Sequence, residues 1–75
     1  MELNNQSQDK VPVSQEVLDG INAVKNTGVT NMFDTKVVMH ILKVIGMDDA
    51  AAWIRDNKDQ YAQGILYGFL GEKEA

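Results

Sequence analysis

Apolar residues at Val17, Leu18, Ile21 and Val24 recur three and four positions apart, a spacing that predicts a first helix from about Gln15 to Asn26. Ser14 supplies a capping hydroxyl before it, Glu16 sits in its first turn, and Gly28 follows where a left-handed residue ends a helix. Gly20 costs this helix about 1 kcal/mol relative to alanine, so it needs its neighbours. A second helix is expected from Thr35 to about Ile45. Asp34 would be its cap, Phe33 would pack on Val38 as a hydrophobic staple, and Val37, Val38, Ile41, Leu42 and Ile45 would form its inner face. Lys36, His40 and Lys43 fall on its other side, and Gly46 stops it.

Asp48 is expected to cap a third helix, about Asp49 to Asp56, that buries Ala50, Trp53 and Ile54. Asn57 would cap a fourth, about Lys58 to Leu70, with an apolar band of Tyr61, Ala62, Ile65, Leu66, Phe69 and Leu70. Gly64 and Gly68 inside that helix cost about 2 kcal/mol together. No segment shows strand periodicity with a hairpin turn, so the expected fold is all-α, a compact bundle of three to four short helices. Val11-Pro12-Val13 reads as extended because of its proline. Residues 1–11 read as a flexible tail, too polar to offset the entropy of ordering, and 12–75 as a single small helical domain.

Composition narrows the functional classes more than it selects one. With 75 residues there is room for one small core and not for a large catalytic cavity. The absence of cysteine excludes thiolate zinc sites and disulfides. The longest apolar runs are far short of the roughly 20 residues that span a bilayer, and MELNNQSQDK lacks a basic-then-apolar leader pattern, so a cytoplasmic protein is expected, with no membrane contact. His40 is the one side chain that ordinarily titrates near neutrality, and no nucleophile or orienting acid is placed around it by spacing; no catalytic residue is assigned. Asp56-Asn57-Lys58-Asp59 breaks the calcium-loop pattern, and neither glycine-rich phosphate motif is present, so no metal and no cofactor is expected.

Helices two and three, joined by Gly46, have the dimensions of a helix-turn-helix. The second of them opens Asp48-Asp49 and brings a single arginine, Arg55, while the chain carries a net charge of −4, which disfavours nucleic acid as a partner. Most of that acidity lies from Asp48 onward, a surface able to meet a basic patch on another protein.

The stretch Thr30-Asn31-Met32-Phe33-Asp34, followed by Val37 to Gly46, Trp53-Ile54, Asn57-Lys58 and Tyr61, resembles a family of small proteins encoded by phages and prophages of Gram-positive bacteria, a domain of unknown function. The resemblance runs from about Val13 to Leu66 and is carried by the Asn-Met-Phe-Asp core and the helix after it. It implies the setting of an infected or lysogenic bacterial cell and an accessory or regulatory role, and it brings no catalytic residues.

The expected function is therefore a non-enzymatic protein-interaction module, a phage or prophage accessory protein that binds and modulates a host or defence protein in the bacterial cytoplasm. The alternative is a small helix-turn-helix-like transcriptional regulator. Candidate partner-binding residues are Tyr67, Gly64 and Gly68 on the last helix, where small residues would let a second backbone approach and a homodimer form, together with Asp48 and Asp49. Phe33, Asp34 and Trp53 are expected to be structural.

Overall fold

Local capping chemistry sets the helix boundaries. In the computed structural model, which describes residues 10–72, a short strand β1 (Val11–Ser14) runs directly into helix α1 (Gln15–Thr27). The Ser14 hydroxyl accepts the Val17 N–H at 3.2 Å, and Gly28, at φ 67°, closes the helix by donating its N–H to the Lys25 carbonyl. Helix α2 (Thr35–Val44) is capped by Asp34, whose carboxylate accepts the Val37 N–H at 3.4 Å. Helices α3 (Asp48–Asp56) and α4 (Lys58–Tyr67) follow, and a second strand β2 (Phe69–Glu72) ends the described chain.

Two expected caps are replaced. Helix α3 begins one residue early, with Met47 in the cap position and no side-chain bond. Asn57 gives α4 no side-chain cap; its amide instead donates to the Trp53 carbonyl at 2.9 Å, satisfying the end of α3.

The core is a single cluster. Ile21, Val24, Val38, Leu42, Ile54 and Tyr61 are fully enclosed, with Val11, Val13, Val17, Ala50 and Ala51 completing it. Gly20 is the contact point between α1 and its neighbours: a Cβ there would lie 2.8 Å from Ala50 Cβ and 3.0 Å from Leu42 Cδ2, so the glycine that weakens α1 in isolation allows α2 and α3 to approach it.

The all-α expectation is corrected to a mainly helical fold with a two-stranded parallel sheet, in register from Val11↔Phe69 to Ser14↔Glu72. Helix α4 stops at Tyr67 because Gly68 takes φ 107°, outside the right-handed helix, and the apolar pair expected to continue it, Phe69 and Leu70, becomes strand. Burial on β1 alternates, Val11 and Val13 inward and Pro12 outward, as a strand with one covered face requires. Because Val11 is only 3 % exposed, the folded unit already includes it, and the tail boundary expected at residues 11–12 moves towards the N-terminus. Residues 1–9 of the expected tail lie outside the described residues.

Candidate functional site

The Asn-Met-Phe-Asp segment is a helix entry whose bonds are made by the Asn31 and Asp34 side chains and by main-chain groups. Asn31 accepts the Phe33 N–H on its side-chain oxygen at 2.9 Å and the Asp34 N–H on its main-chain oxygen at 2.9 Å, forming the turn. Asp34 caps α2 as expected. Met32 packs partly against the core, and its carbonyl accepts the Tyr61 hydroxyl at 2.5 Å, a bond that ties α4 to the α1–α2 connection. Burial pushes the Tyr61 hydroxyl up to about 12. The spacing along α4 had placed Tyr61 only in an apolar band; its anchoring bond joins residues too far apart in sequence for that pattern to reveal.

Phe33 is the exception within this segment. It is 49 % exposed: its backbone helps build the turn, while the ring, expected as a staple on Val38, is left half in solvent. Val37, expected on the inner face of α2, is 38 % exposed and shares one line along the helix with Val44, seven residues further on and 70 % exposed. Ile45 is also exposed, and the row Lys36, His40 and Lys43 runs alongside. The outer side of α2 thus pairs an apolar row with a row of basic residues.

Lys36, His40 and Lys43 also line an open cleft of about 710 Å³ between α2 and α3, together with Arg55, Asp48 and Asp49. The fold brings Arg55 to the basic row of α2, a juxtaposition sequence spacing did not show. Arg55 is engaged by its neighbour: Nε donates to one Asp56 oxygen at 2.9 Å and Nη2 to the other at 3.2 Å. The hydrogen bond from Arg55 holds the Asp56 carboxyl below its ordinary range, and the same bond and the carboxylate charge raise Arg55. Asp48 and Asp49 are exposed in the first turn of α3 and also border a smaller cleft of about 230 Å³ with Glu16 and Met47.

The remaining candidates separate. Tyr67 is exposed at the end of α4, Gly68 is the helix stop, and Gly64 is buried. A side chain at Gly64 would overlap the Phe69 ring, so the small-residue face expected on α4 is corrected: Gly64 is the seat of the chain's own Phe69, and no second backbone has that surface to meet. Phe69 is held there by Tyr61, with ring centroids 6.1 Å apart, and by an edge contact with Trp53 at 6.4 Å. Trp53, expected to be buried by α3, is half-buried and packs against the edge of the core. Among the described residues no group of three or more His, Asp or Glu is placed to hold a metal ion, and no helix is long and apolar enough to cross a membrane.

A mainly helical domain whose first and last described segments pair as parallel strands defines the class. The chain belongs to a family described as a domain of unknown function, DUF5049, whose profile matches residues 13–69. No curated protein and no solved structure matches it.

Proposed function

We propose that the protein is a non-enzymatic protein-interaction module and that Phe33 is its principal contact, with Val37 and Val44 extending the surface along α2. The observation that carries this reading is the division of labour within Asn31 to Asp34: the turn, the cap and the Tyr61 anchor are all made without the Phe33 ring, which is left half exposed. Aromatic anchors of this kind contribute disproportionately to protein interfaces. The two lysines Lys36 and Lys43 beside the apolar row fit a protein partner with an apolar pocket rimmed by carboxylates. The non-enzymatic part of the reading rests on the side-chain inventory: one histidine, no cysteine and no convergent nucleophile and base. The resemblance to phage and prophage proteins supplies the setting, an accessory protein acting on a host or defence protein in the bacterial cytoplasm.

A second reading, a helix-turn-helix-like regulator, is favoured by one feature: α2 and α3 are joined by three residues with Gly46 at φ 86°, and four basic groups line the cleft between them. Against it, Asp48 and Asp49 open α3 and Arg55 is paired with Asp56.

Phe33→Ala and Phe33→Asp test the first reading. Half exposure limits the folding cost of the alanine variant to about 1–2 kcal/mol, since full burial is what produces the largest truncation losses. Both variants should keep the far-ultraviolet circular dichroism of the parent while losing the proteins that the tagged parent retains from host-cell extract. An unchanged set of retained proteins removes the reading. A retarded band with duplex DNA at about 50 mM salt, abolished by Lys36→Glu/Lys43→Glu, would establish the second one instead.

A further inference from the structure

The two edges of the β1–β2 sheet are not alike. The Val11 N–H donates to the Gly68 carbonyl at 3.0 Å, and with the parallel register Val11↔Phe69 this fixes which residues face the ladder. Val11 and Val13 on β1, and Leu70 and Glu72 on β2, direct their main-chain groups inward, whereas Phe69 and Gly71 direct theirs to the outer edge of β2. Among the described residues, no hydrogen bond reaches either of those N–H groups or carbonyls. The outer edge of β1 is closed in a different way: Pro12 has no N–H to offer, and Ser14 leads straight into α1.

We infer that the open edge of β2 pairs antiparallel with β2 of a second copy of this chain, making a four-stranded sheet in the order β1-β2-β2-β1. This goes beyond the proposed function and does not depend on it. Centred on Leu70, a two-fold axis sets Phe69 opposite Gly71 of the copy and Gly71 opposite Phe69, so that each of the outward main-chain groups finds a partner. Leu70, 46 % exposed on the outer face, then meets its own copy in the close cross-strand position.

Charge favours a second copy over an unrelated strand. The same pairing sets Glu72 of one chain opposite Gly68 of the other. Lys10 lies beside Gly68, with its Cγ, Cδ and Cε 3.7–3.8 Å from where a Cβ would stand, so the lysine stem runs in van der Waals reach of the start of β2. The pairing therefore brings each Lys10, at Gly68, next to Glu72 of the copy, and two such pairs flank the Leu70 contact. Within one chain the two residues are four positions apart along neighbouring strands, about 13 Å, too far to pair directly.

Sedimentation or light scattering on the full chain across a concentration series tests this. The contact is small, so a dimer is expected to form in the upper micromolar range. Lys10→Glu and Glu72→Lys should each weaken it about tenfold by placing like charges in two symmetry-related contacts, and the double exchange should restore it. Leu70→Lys should abolish it. All four variants change exposed positions, and unchanged circular dichroism confirms that each folds. A chain that stays monomeric at about 1 mM overturns the inference, as does a dimer indifferent to Leu70→Lys, or single charge reversals that fold yet are not rescued by the double exchange.

Discussion

Gly64→Ala should destabilise the domain by about 2 kcal/mol or more and release its C-terminal strand. The usual expectation for this substitution inside a helix is the reverse, a gain of about 1 kcal/mol from propensity. Here the added Cβ would overlap three atoms of the Phe69 ring. That ring has little freedom to yield, because Tyr61 and Trp53 pack around it. Overpacking of this kind costs about 1–3 kcal/mol and occasionally more. Relieving it requires Phe69 to leave its seat, and β2 would leave with it. Urea denaturation should show a lower midpoint than the parent, and a higher one would mean that Phe69 does not occupy the α4 surface.

Tyr61→Ala should leave the chain largely unfolded. Tyr61 is fully enclosed and contributes three things at once: core volume, support for Phe69, and the bond to the Met32 carbonyl. Large-to-small truncation of a buried aromatic costs about 3–5 kcal/mol, comparable to the whole stability of a domain this small. Tyr61→Phe keeps the volume and loses only the hydroxyl, so it should cost about 1 kcal/mol. The pair also differ at alkaline pH. In the folded protein the hydroxyl holds its proton up to about 12, against 10.0 for an unburied tyrosine, so the unfolded chain releases the proton first. The contribution is intact below pH 10 and is lost as pH rises towards 12. The parent should therefore lose stability across that window, and Tyr61→Phe should lose less.

Features of the fold that depend on adjacent residues were legible in the sequence. Ser14, Gly28 and Asp34 act on backbone groups within three residues of themselves, and the ends of α1 and the start of α2 fall within a residue of expectation. The strand pair was not legible, because its partners come from opposite ends of the chain and each is only four residues long. Phe69 and Leu70 continue the apolar spacing of α4 well enough to extend the helix on paper; the sign against it was Gly68, the residue that turns the chain back. The spacing of Gly64 and Gly68 suggests a surface for another backbone, whereas Gly64 is the seat of a ring five residues further along the chain, and only the turn at Gly68 brings that ring over it. At the candidate site, Asp34 was legible as a cap. The exposure of Phe33 was not, since a staple pattern specifies spacing and leaves open how far neighbouring elements cover the ring.

Amide hydrogen exchange read residue by residue tests most directly the claim that β1 and β2 close the fold through a ladder with one open edge. At low protein concentration the N–H groups of Val11, Val13, Leu70 and Glu72 should be protected, while those of Phe69 and Gly71 exchange at nearly unhindered rates, an alternation that neither a helix nor a frayed end produces. Uniformly fast exchange from Phe69 to Glu72, or a helical run of protection continuing past Tyr67, would contradict it.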